Sequence, residues 1–204
     1  MNLTAEQADA LRELGNIGAA HAATTLSMML NTSIDMNIPE IHVIDLARIH
    51  EYISDDPAAM VLFQINGEVE YGGYLLWHVP VESAIRLVNV MLGEQDETRE
   101  FSEMDRSALL EIGNIMVSAF LDSTATLLNT VMLPSPPDMV IDMPHAAFEV
   151  IISSQLDQTT NEIVLFQTEL TSPEHALKGN ILLLPTSPML DDIIRKLETV
   201  VSGV

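Results

Sequence analysis

Long helix-favouring runs alternate with short apolar runs along this chain, and the whole alternation occurs twice. Residues 5–30 contain no proline and are rich in Ala, Leu and Met, good helix formers. Thr4 stands before them with Gln7 three places on, which predicts a capping box. Residues 34–46 read as extended, with Pro39 at a strand start or edge, and a short helix is expected over 46–54. VLFQIN and YGGYLLWHV then form a β-hairpin, with Trp77 in its core, and residues 80–92 an amphipathic helix entered at Pro80. The second pass repeats this order. Ser102 followed by Asp105 opens a helix to about residue 130. An extended segment over 132–143, a helix over 144–155, strands near 162–170 and 180–185, and a helix over 188–200 follow.

The repetition extends to individual residues. Glu13, Gly15, Asn16 and Ile17 recur as Glu111, Gly113, Asn114 and Ile115, each 98 positions on (111 − 13). Asn31, Thr32 and Pro39 recur at the same offset as Asn129, Thr130 and Pro137. V-I-D occurs at 43–45 and again at 140–142, an offset of 97, which reads as a one-residue slip left by a loop deletion. The pattern predicts an α+β fold, internally duplicated about a pseudo-twofold axis, with long helices packed on a joined, mainly antiparallel sheet. The halves, 1–98 and 99–204, are expected to form one domain, because each offers only about three strands and a sheet that small needs continuation. The acidic segment 93–100 is the link between them.

Composition narrows the function. With 30 Asp+Glu against 8 Lys+Arg the formal charge is −22, so a basic face for nucleic acid is not expected. No apolar stretch is long enough to span a bilayer, so no membrane insertion is expected. The polar, acidic start is unlike an export signal, and the absence of cysteine rules out disulfides and thiol nucleophiles. A cytoplasmic location is the expectation. The six histidines have no H-x-H or H-x3-H spacing, so they read as scattered surface or satisfied side chains, and zinc is not expected. The twelve methionines, Met28, Met29, Met132 and Met143 among them, read as core fillers.

On the first long helix Asp9, Glu13 and Asn16 fall at about 0°, 40° and −20°, a single narrow stripe. Ser107, Glu111 and Asn114 hold the same spacing on the second. Leu14, Ile17, Ile112 and Ile115 point elsewhere, toward the core. A glutamate on a surface helix is ordinarily just solvated, but asparagine mid-helix competes with the backbone for hydrogen bonds and needs another reason. Gly15 and Gly113 beside the stripe are expected to admit a close-packed neighbour.

D/S-x3-E-x2-N followed by 22 residues and a proline resembles the signature of the CheC/CheX/FliY phosphatases of bacterial and archaeal chemotaxis. Asp9, Glu13, Asn16 and Pro39 match it, and Ser107, Glu111, Asn114 and Pro137 match it again. Two intact signatures resemble the CheC type. The resemblance implies dephosphorylation of the response regulator CheY, with Asn16 and Asn114 orienting the attacking water and Glu13 and Glu111 docking on the receiver's lysine. Asp9 and Ser107 would contact the partner, and Pro39 and Pro137 would be structural. Asp142 matches a segment with which the family binds the deamidase CheD. No cofactor of its own is implied, and Mg²⁺ is expected on the receiver. A non-enzymatic adaptor for CheY-phosphate or CheD, or a flagellar-switch component, is the alternative.

Overall fold

Thr4 and Ser102 start the two long helices in the same way. In the computed structural model, which describes residues 3–37, 40–45, 48, 51–52, 56–68, 72–142 and 162–202, each closes a full capping box. The Gln7 amide N–H donates to Thr4 Oγ1 while the Gln7 side chain receives the Thr4 N–H, and Ser102 and Asp105 repeat the exchange. Helix α1 runs Ala5–Leu30 and α3 Glu103–Leu127, with α2 (Val81–Leu92) between them and α4 (Ser187–Ser202) at the end. The long helices also end alike. Asn31 and Asn129 have positive φ (51° and 47°), and the next amides, of Thr32 and Thr130, reach back five residues to the Ser27 and Ala125 carbonyls. That is a Schellman-type stop, and it gives the repeated Asn-Thr pair a backbone reason.

The strands are β1 (Asp35–Met36), β2 (Glu40–Asp45), β3 (Ala58–Gly67), β4 (Gly73–Pro80), β5 (Met132–Pro134), β6 (Asp138–Asp142), β7 (Glu162–Ser172) and β8 (Leu177–Pro185). They form one antiparallel sheet in the order β1-β7-β8-β4-β3-β5, with β2 also on β7 and β6 also on β3. β4 and β8 meet at the centre, with Leu76 opposite Leu182. The edges are crossed: β1 and β2 of the first pass pair with the hairpin of the second, and β5 and β6 pair with the hairpin of the first. The expected fold class holds, and the crossing supplies the continuation that three strands alone lack.

All four helices among the described residues bury their apolar sides on one face of the sheet. Leu11, Leu26, Leu109, Ile112, Met116 and Leu190 join Phe63, Leu75, Trp77, Phe166 and Ile181 there in a continuous core. A smaller cluster of Ile44, Met60, Tyr74, Leu76, Leu165, Leu182 and Leu184 occupies the other face, as the two-residue alternation of strands requires.

That alternation also corrects the proposed slip. Val43 lies opposite Val164, in the main core, and Ile141 lies opposite Ala59, in the same core. Ile44 belongs to the other face, and Val140 lies opposite Met60 there. The structural partner of Val43 is therefore Ile141, still 98 positions on, and the two V-I-D triplets point in opposite directions. A one-residue shift would have turned the strand over.

Pro80 stands one place earlier than expected, at the N-cap of α2 rather than inside it. Pro137 directly precedes β6, as a strand-start proline should, whereas Pro39 lies outside the described residues. So do the helix expected at 144–155, together with Met143, and most of the one expected at 46–54.

Candidate functional site

The repeated Glu and Asn face away from the core on α1 and α3. Glu13, Glu111, Asp9, Ser107 and Asn114 are exposed and Asn16 half-buried, while Leu14 and Ile112 on the opposite side are buried. Ile17 and Ile115, expected in the core, are only half-buried at its margin. Among the described residues no protein group bonds to the side chains of Glu13, Asn16, Glu111 or Asn114, whereas both residues one turn earlier are engaged. Asp9 accepts from Arg12 Nη1 at 2.6 Å, and Ser107 Oγ donates to the Glu103 carbonyl at 3.0 Å. Each stripe thus presents a free carboxylate and a free carboxamide on adjacent turns, and a carboxamide can accept from and donate to one water or ligand at once.

Asn89 on α2 shows what a structural asparagine looks like here. It is buried, its Oδ1 accepts from Arg99 at 2.8 Å, and its Nδ2 donates to the Asp96 carbonyl at 3.0 Å. Arg99 goes on to grip buried Asp105 with both guanidinium ends, each at 2.5 Å. The Arg99 bond, helped by Ser102 and working against burial, holds the Asp105 carboxyl down at about 2. The acidic link 93–100 is therefore tied to α2 and to the start of α3, a role its composition did not reveal.

The glycines divide. A Cβ at Gly113 would lie 3.2 Å from the Trp77 ring and 3.3 Å from Phe63, the close approach expected there. On α1 the tight contact belongs to Gly18 rather than Gly15: it seats the Phe120 ring, while Gly15 lines a small apolar cavity with Leu11, Leu14 and Phe120.

Two other expectations change. His78 is neither a surface nor a satisfied histidine: it is fully buried, neither ring nitrogen has a partner among the described residues, and burial pushes its pKa down to about 4. Met28 is no core filler, being 72% exposed; Met132 is buried, and Met29 packs partly buried against the core. Among the described residues no group of three His, Asp or Glu side chains could hold a metal. Every arginine is engaged, by Asp9, Glu51, Glu97, Asp105, Asp192 or, for Arg106, the Met139 carbonyl, which leaves little free positive charge for an anionic polymer. No helix among the described residues is long and apolar enough to cross a membrane. Asp142 is the exposed last residue of β6, and Asp45 holds the same place at the end of β2.

The architecture is that of a known class of chemotaxis and flagellar proteins. The crystal structure of Thermotoga maritima FliY superimposes with a TM-score of 0.75 over 98% of this chain and all of that one, at 22% identity. The Borrelia burgdorferi complex of CheX with CheY, BeF3 and Mg²⁺ gives 0.58 over 84% of this chain and 97% of that one, at 17% identity. Within that class the chain belongs to the CheC-like family, whose profile matches residues 6–43 and 104–141, one segment per half. The CheY-P phosphatase CheC of Bacillus subtilis is 30% identical over 190 residues, 88% of each chain.

Proposed function

We propose that this chain is a hydrolase that dephosphorylates a CheY-type response regulator, at one site on α1 and another on α3. The observation that carries it is the pairing of an exposed, unpartnered glutamate with an unpartnered mid-helix asparagine, twice, at one spacing, in a CheC-like chain. Aspartyl phosphate is an acyl phosphate, an activated mixed anhydride. Water attacks phosphorus, the bond to the aspartyl oxygen breaks, and aspartate and inorganic phosphate result, the proton of the water passing to phosphate or solvent. The leaving carboxylate needs no acid, so what remains is to hold water in line. Asn16 and Asn114 hold it through their carboxamides, and Glu13 and Glu111, one turn away, engage the receiver's active-site lysine. Mg²⁺ belongs to the receiver.

Asp9 and Ser107 contact the partner at the rim, and Pro137 sets the start of β6, which crosses from half 99–204 onto the hairpin of half 1–98. Asp142, at the exposed end of edge strand β6, is the contact for a CheD-type deamidase. All of this takes place in the cytoplasm, where response regulators act.

The test is phosphate release from a phosphorylated receiver by Asn16→Ala, Asn114→Ala and the double variant. Each single variant keeps one working site, and the double variant loses about 100-fold or more while still binding the receiver. An undiminished rate in the double variant rules the mechanism out. A wild-type chain that binds the phosphorylated receiver without accelerating its decay is an adaptor instead.

A further inference from the structure

We infer that the two sites grip their receiver by different forces: the α3 site adds an apolar contact at Met104 where the α1 site has charge. This rests on the phosphatase proposal above. Met104 is 65% exposed, at the second position of α3. It precedes Ser107 by three residues and Glu111 by seven, so it lies within about 20° of Glu111 on the same stripe and about 10 Å nearer the helix start. A protein partner covering about 800 Å² around Glu111 and Asn114 extends well past that distance.

The equivalent of Met104 on α1 is Glu6 (104 − 98), which is exposed. The neighbouring positions differ in the same sense. Asp9 and Arg12 form an exposed ion pair on α1, where α3 carries Ser107 and a half-buried Leu110. Met104 neither caps its helix nor complements the helix dipole. Beside these turns lies the edge of β6, brought there by Arg106, which donates to the Met139 carbonyl at 2.6 Å. Ile141, on the helix-bearing side of that strand, is 38% exposed, and its counterpart Val43 is 44% exposed. Both sites therefore have an apolar strand edge, and Met104 is what distinguishes the second. A flexible, polarisable thioether is suited to an apolar contact with a partner surface.

The experiment isolates each site in the full chain. Asn16→Ala leaves the α3 site working and Asn114→Ala the α1 site. In the Asn16→Ala background, Met104→Glu raises KM for the phosphorylated receiver about five- to ten-fold with kcat unchanged, as loss of one buried apolar contact would. Met28→Glu, an equally exposed methionine three turns beyond Asn16, leaves both constants unchanged in that background. Between about 0.05 and 0.5 M salt, kcat/KM falls more steeply for the α1 site than for the α3 site. An unchanged KM for Met104→Glu, an equal effect of Met28→Glu, or identical salt slopes overturns the inference. If instead the Asn16→Ala, Asn114→Ala double variant keeps full activity, the phosphatase mechanism itself has failed, whatever Met104 does.

Discussion

The ring of Phe120 rests directly on Gly18, and a Cβ at that glycine would stand 2.6 Å from Phe120 Cε2. Here α1 packs against α3, and the outer faces of both helices carry the repeated Glu and Asn. Gly18→Ala gains about 1 kcal/mol of helix propensity but forces the ring aside, at a cost of about 1–3 kcal/mol. The expected outcome is a lower urea midpoint, restored in part by pairing Gly18→Ala with Phe120→Leu. An unchanged or higher midpoint for Gly18→Ala alone would contradict this packing.

Glu13→Gln with Glu111→Gln removes the charge while keeping shape and helix propensity. If these carboxylates dock the receiver's lysine, two charge-assisted bonds become weak ones, at about 1.5–3 kcal/mol each. KM rises ten-fold or more and kcat falls much less. Steady-state kinetics at several receiver concentrations separate the two, and a pure kcat loss would move the glutamates from docking to chemistry.

Asp105 and Arg99 form a bidentate pair with one member buried, so removing either strands the other. Arg99→Met is expected to cost about 3 kcal/mol of stability. The carboxyl of Asp105 is depressed from an ordinary 3.8 to about 2, so its contribution is present above pH 3.8 and is lost as pH falls toward 2. Asp105→Asn lowers stability at neutral pH and flattens the acid limb of the unfolding curve between those values. A wild-type-like acid limb would show that the pair contributes nothing there.

His78 acts in the same direction at higher pH. Its pKa is about 4 in the folded chain against 6.5 ordinarily, so the unfolded chain binds more protons between those values. Stability is full above pH 6.5 and falls, by up to about 3 kcal/mol, as pH drops toward 4. His78→Phe removes that slope. Denaturant titrations at pH 7 and pH 4.5 decide it, and equal slopes in both proteins would exclude His78 as the cause.

What the sequence made legible was local. Thr4 with Gln7 and Ser102 with Asp105 announce helix starts because a cap spans only three residues. Asp9, Glu13 and Asn16 declare one face because the helix period is short. The crossing of β2 and β6 onto the opposite hairpins was not legible, since alternation tells a strand which way its side chains point and not which strand it meets. Nor was the direction of the V-I-D triplets, where like letters occupy unlike faces. His78 and Met28 failed for a related reason: a residue type carries a preference for burial, but only the assembled sheet and helices decide it. Arg99 stands in a run of acids that reads as solvent-exposed, and its partners Asn89 and Asp105 come from two different helices.

The crossed edge strands have one more consequence. Two identical chains could build the same sheet by exchanging their edges, and every change in one site would then appear in the other. Here the segment from Gly93 to Glu100 joins both passes into a single polypeptide, so position 6 can be glutamate while position 104 is methionine. Fusion has released the two helix faces from symmetry, so the repeated stripes of one molecule are free to differ.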